Sequence, residues 1–180
     1  TLIKTITGSN VSDISFVHGT SSVVFDSTYK EYCFKIINMN PATDNHIFEV
    51  GFRDGGSNYD ATVTSSTHRA IVFEDGTNAT LAYVGNDDLD QSTDYQHLAN
   101  GVGNLADESL NGYLCITDPA STTFVKHFWA RCQFDEASTA QGTVDFYVGG
   151  YCNTTTAIDG VQFRMASGNF DATIKLYGIK

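Results

Sequence analysis

Apolar and polar residues alternate along most of this chain. Near its end, Val161, Phe163 and Met165 alternate with Gln162 and Arg164, and Phe170, Ala172, Ile174 and Leu176 alternate with Asp171, Thr173 and Lys175. A two-residue period places one side of a strand in a core and the other in water. The two runs flank Ala166-Ser167-Gly168-Asn169, so they are predicted to form a β-hairpin that ties the end of the chain into a sheet.

The same period recurs upstream. Strands are predicted at residues 2–6, 14–17, 23–25 and 32–37, the last apolar at nearly every position, as suits a central strand covered on both faces. A loop containing Pro41 follows, then a strand at 46–53 with Phe48, Val50 and Phe52 on one side. Asp54-Gly55-Gly56-Ser57-Asn58 reads as the clearest hairpin turn. Further strands are predicted at 61–73, 81–84, 110–117, 124–134 and 144–148, with turns at 74–78 and 135–141. Residues 85–105 are mostly polar and are predicted to form a long surface loop. In the run 124–134, Phe124, Phe128, Ala130, Cys132 and Phe134 share a face with Lys126, and His127, Trp129, Arg131 and Gln133 share the other with Val125. Trp129 among polar neighbours suits a half-buried or intersubunit position.

No capped amphipathic helix and no repeat of fixed period interrupts this pattern. The expected fold is all-β: one antiparallel β-sandwich, jelly-roll-like, filling residues 1–180 as a single domain. No apolar run approaches the roughly 20 residues that cross a bilayer. No signal peptide is read in the first residues.

The formal charge of −11 adds a constraint on partners. It repels phosphate backbones and anionic lipid, so neither nucleic acid nor membrane is an expected partner. Cys33, Cys115, Cys132 and Cys152 are far apart and lie in apolar runs, with no zinc spacing. They are expected to be buried free thiols, although their even number also allows two disulfides. His18, His46, His68, His97 and His127 make no metal pair. The carboxylates Asp87, Asp88, Asp90 and Asp94 lack the order of a calcium loop and read as a solvated cluster. No nucleophile elbow, zincin or phosphate-loop motif is present, and no acid/base pair is nameable. The expectation is therefore a non-enzyme with no cofactor, no metal and no assignable binding residues. Asn78 and Asn153 begin glycosylation sequons, which matter only in a secretory host.

Four segments carry a resemblance: Ser121-Thr122-Thr123-Phe124-Val125-Lys126-His127-Phe128, Gly150-Tyr151-Cys152-Asn153-Thr154-Thr155, the run from Ala157 to Asn169, and Thr173-Ile174-Lys175-Leu176-Tyr177-Gly178-Ile179. Together with Asp26-Ser27-Thr28-Tyr29-Lys30-Glu31-Tyr32 and Asn40-Pro41-Ala42-Thr43-Asp44-Asn45, they are similar to a family of structural proteins of marine tailed bacteriophages. The resemblance covers most of the chain and supplies no site residues. It implies a virion surface component, a head decoration or a tail or fibre appendage. Such a module would be homo-oligomeric, expected as a trimer, and would contact capsid or tail proteins. The alternative expectation is a lectin-like module that binds host glycans through exposed Tyr and Trp.

Overall fold

The computed structural model describes residues 1–77, 79–137 and 142–180. Among these, the strands are β1 (Leu2–Val11), β2 (Asp13–Val17), β3 (Glu31–Pro41), β4 (His46–Arg53), β5 (Val63–Phe73), β6 (Ala79–Tyr83), β7 (Gln96–Val102), β8 (Leu110–Thr117), β9 (Lys126–Asp135), β10 (Gly142–Cys152), β11 (Gly160–Met165) and β12 (Phe170–Ile179). They form an eight-stranded sheet, β1-β12-β3-β8-β9-β10-β5-β6, and a four-stranded sheet, β2-β11-β4-β7, with every pairing antiparallel.

Pairings β1·β12, β2·β11, β3·β8 and β4·β7 describe one long ribbon. The ribbon is rolled so that β12 meets β3 in one sheet and β11 meets β4 in the other. This is the jelly roll, two four-stranded sheets closed around one core. The remaining strands are additions. β5 and β6 lie between β4 and β7 in sequence, and β9 and β10 lie between β8 and β11. All four join one sheet and double its width.

The core is aromatic. Phe34 of the larger sheet packs against Phe16 and Phe163 of the smaller, with ring centroids 5.2 and 5.3 Å away, and Phe48 lies 5.7 Å from Phe170. These are edge-to-face contacts, which favour the ring quadrupoles as well as burying area. The chain end is tied in as expected. β12 runs between β1 and β3, and the N-terminal ammonium donates to the Gly178 carbonyl at 2.7 Å.

Several local expectations need correction. The runs at 161–165 and 170–176 are not a hairpin. β11 and β12 belong to different sheets, and the turn at 166–169, with Gly168 at φ +82°, carries the chain from one sheet to the other. Alternation reports which residues face the core, and both runs face the same core from opposite sides. The glycine turn after Arg53 is likewise a crossing, from β4 to β5 in the other sheet. Residues 23–25 make no strand, yet Val23 and Phe25 are buried. β3 is covered on one face only, with Lys35 exposed and Ile37 half-buried on the outer side.

Residues 85–105 are not all surface loop, since they contain β7, with Gln96, Leu98, Ala99 and Val102 fully buried. Polar residues at buried positions hid this strand. Cys132 and Cys152 are buried free thiols, but Cys33 and Cys115, directly opposite on β3 and β8, form a disulfide. Two of the four cysteines therefore depart from the free-thiol expectation. The predicted turn at 135–141 and the sequon at Asn78 fall partly or wholly outside the described residues.

Candidate interaction surface

Among the described residues, the larger sheet buries one face of every strand but β6 against the core and leaves the other face without a covering layer. Its register assembles a row of outward side chains, one from each strand. Thr5, Lys175, Lys35 and Tyr113 come from the roll, in that order. Arg131, Tyr147, His68 and Tyr83 continue it on the added strands. At the usual spacing between strands the row spans about 33 Å.

The row is held by stacking. The Arg131 guanidinium lies 4.9 Å from the Tyr147 ring centroid, and the His68 ring is parallel to Tyr147 within 6° at 4.9 Å. Arg131 is also fixed by a two-pronged bond to Asp145, from Nε at 2.8 Å and Nη2 at 2.7 Å. That hydrogen bond raises the Arg131 pKa and holds Asp145 below the ordinary carboxylate value. Trp129 stands in the next row at 38% exposure, facing Gly149, where an added Cβ would meet nothing within 4 Å.

A groove of about 560 Å³ opens in the middle of this face between Lys35 and Arg131, with Tyr113, Asn111 and Gln133 along it. It coincides with an irregularity in the β3·β8 ladder. The register shifts between Ile36 and Met39, and Asn38 takes φ +48°. The Asn111 side-chain oxygen accepts the Asn38 N–H at 3.0 Å, replacing a backbone acceptor. A second depression of about 500 Å³ shares Asn111 and Gln133 and runs on toward Val72 and Thr143.

β6 forms one edge of the face. Leu81 is 77% and Tyr83 70% exposed, and the strand carries no charge or proline. Natural edges are usually blunted by such residues.

The smaller sheet carries a polar pocket of about 580 Å³ beside the turn at Gly85–Asp87. Asp87, with 1% of its side chain exposed, accepts from Asn100 Nδ2 at 2.9 Å and pairs with His97 Nδ1 at 2.8 Å. His97 Nε2 faces the buried Glu49 at 3.9 Å, and Glu49 accepts from Arg164 Nε at 2.7 Å. Arg164 in turn lies 3.6 Å over the Tyr95 ring. Among the described residues, Asp87 Oδ2 and Asp88 Oδ1 are buried without hydrogen-bond partners. The carboxylates on both sides of His97 are thus engaged by their own neighbours. The imidazole meets a carboxylate at each nitrogen rather than a hydroxyl or thiol, so the pair does not make a triad.

The remaining sequence candidates are dispersed. His18 Nδ1 accepts the Phe25 N–H, His46 bonds Ser167, and His127 rests against Tyr151. Asp94 accepts from Ser92, and Asp90 stays exposed. Asn153 is exposed and bonds Gln91 at 2.5 Å. Among the described residues, the side chains close enough to share a metal are Glu31, Cys33 and Cys115, and both sulfurs there are consumed in the disulfide. Lys126, fully buried on the core face of β9, is satisfied by the Thr154 and Thr156 carbonyls at 3.1 and 2.6 Å. Burial lowers its pKa.

The fold and this surface define an all-β jelly-roll sandwich whose larger sheet is widened into an open, aromatic-rich face. No protein-family model, no curated protein and no solved structure matches the chain.

Proposed function

We propose that this chain is a structural module of a phage virion surface, a head decoration or a tail or fibre appendage that works by contact rather than catalysis. Jelly rolls recur in viral capsid and lectin domains, so the architecture is compatible with this role without specifying it. The resemblance to marine phage structural proteins supports it over most of the chain. The observation that carries the reading is the unguarded β6 edge, where Leu81 and Tyr83 stand in solvent next to Val72 at 51% exposure. Such an apolar edge suits a second copy or a neighbouring virion protein.

A homo-oligomer, expected as a trimer, forms through this edge. Mass photometry of the pure protein tests it against a Leu81→Lys variant. The native chain is expected to assemble at micromolar concentration and the variant to dissociate while keeping its β-type circular dichroism. A native chain that stays monomeric and binds no capsid or tail protein counts against the proposal. The second reading, a lectin-like module that binds host glycans, is favoured by one specific feature, the groove between Lys35 and Arg131.

A further inference from the structure

We propose that this groove is a subsite for an anionic polysaccharide, a pyranose chain bearing carboxylate or sulfate groups. The inference deepens the lectin-like reading and does not depend on the oligomeric one. Charge is the first argument. The chain has only 10 Lys and Arg against 21 Asp and Glu, yet a cation stands on each side of this groove. Among the described residues Lys35 has no acidic partner within salt-bridge distance. Arg131 gives Nε and Nη2 to Asp145, which leaves Nη1 for a ligand. An ion pair that already fixes the guanidinium lowers the entropy cost of using its remaining donor.

Geometry is the second argument. Lys35 and Arg131 lie on β3 and β9, with Tyr113 of β8 between them in the same row. Two strand spacings separate the cations by about 10 Å at the backbone. The Tyr113 ring, 40% exposed, offers an apolar surface between them, and Gln133 and Asn111 add amide groups along one wall. An aromatic surface flanked by cations and amides suits a sugar ring with an acidic substituent.

The depression leading on toward Val72 gives a linear chain room to continue past one residue. Glu74 and Asp135 line its far end, so the anionic group belongs at the Lys35 end. The net charge of −11 opposes any polyanion at long range, so the attraction has to come locally from Lys35 and Arg131.

Biolayer interferometry on the full chain tests the site with three probes of equal length: an alginate oligosaccharide for carboxylate, a carrageenan oligosaccharide for sulfate, and dextran as the neutral control. At least one anionic probe is expected to bind, and dextran about tenfold more weakly or not at all. Binding should fall steeply as salt rises from about 50 to about 500 mM, because the Debye length shrinks. Lys35→Gln and Tyr113→Ala should each weaken binding by about tenfold, one charge-assisted or stacking contact. Gln133→Glu should abolish it by repulsion, and Lys4→Gln on the edge strand should leave it unchanged.

All four positions are at least partly exposed, and unchanged circular dichroism and melting confirm that the variants fold. Equal binding of dextran, no binding of either anionic probe at millimolar concentration, or native affinity in both Lys35→Gln and Gln133→Glu overturns the proposal. Mass photometry of Lys35→Gln separates this from assembly. A change in oligomeric state with glycan affinity intact also overturns it.

Discussion

Gly149 stands in the middle of β10 on the open face, opposite Trp129 on β9 and Ser66 on β5. A strand interior is a poor place for glycine, which loses more backbone freedom on folding than any other residue. Its backbone is not among the positive-φ positions, so a side chain meets no conformational barrier. An added Cβ also finds no atom within 4 Å. Replacement by threonine should recover about 0.5–1 kcal/mol of the glycine penalty, with up to a similar amount from packing beside Trp129. Discounting for non-additivity, Gly149→Thr is expected to stabilise by about 1 kcal/mol. For a domain of this size that raises the melting point by about 2–4 °C.

Urea unfolding followed by Trp129 fluorescence measures the change, which should appear as a higher midpoint at constant slope. An unchanged or lower midpoint refutes the reasoning, because it means that the site is neither open nor strand-like. The same threonine narrows the space beside Trp129. If this face meets a partner, the more stable variant should bind less, as happens where a contact surface is kept at a cost in stability.

Three further outcomes follow from the structure. Asp87→Ala removes the acceptor of His97 and Asn100 inside the polar pocket, and should destabilise by about 3–5 kcal/mol in urea unfolding; a loss below about 1 kcal/mol would show that the network does not hold β7 in place. Reduction of Cys33–Cys115, which closes a loop with a sequence separation of 82, should cost about 4–5 kcal/mol on the chain-entropy estimate, read as a drop in melting point with dithiothreitol. No drop would mean that the two sulfurs are not bonded in solution. Burial pushes the Cys132 thiol up from 9.0 to about 12 and raises Cys152 as well. The folded chain then keeps protons that the unfolded chain releases, so this stabilisation is complete below the ordinary thiol value and is lost as pH rises through that window. Iodoacetamide should accordingly label neither thiol at mildly alkaline pH until denaturant is added, and labelling of the native protein would contradict their burial.

The inward face of β4, β9, β10, β11 and β12 was legible from alternation. In β9 the partition of Phe128, Ala130, Cys132 and Phe134 from His127, Trp129, Arg131 and Gln133 matches the burial, Lys126 included, but Phe124, expected on the core face, precedes the strand and is 70% exposed. Sheet membership was not legible, for a physical reason. A glycine turn between two alternating runs looks the same whether the runs pair with each other or pack face to face, as at Gly55 and Gly168. β7 escaped notice because Gln96, His97 and Asn100 meet partners on the loop before it, and a satisfied buried amide leaves no apolar trace in sequence. The surface row was invisible for a different reason. Its eight residues are each unremarkable in sequence, and only the register of eight strands brings them into line.

That row also bears on where function sits in a fold of this kind. The eight strands of the roll complete the two-sheet topology, and the inserted strands extend the same core with Phe128, Phe134, Phe146 and Val148. They pair with each other through β5·β10, join the larger sheet of the roll through β8·β9, and also pack on the smaller sheet, where Phe128 meets Phe52 at 4.8 Å and Val102 bridges to Glu136. The β8·β9 connection widens one sheet and leaves the smaller sheet at four strands. The outward residues gained include Trp129, Arg131, Asp145, Tyr147, His68 and Tyr83 beside smaller ones such as Ser66, Thr143 and Gly149. For the contact surface proposed above, the insertions supply the rigid Trp129 and Tyr147 rings and the fixed Arg131 cation.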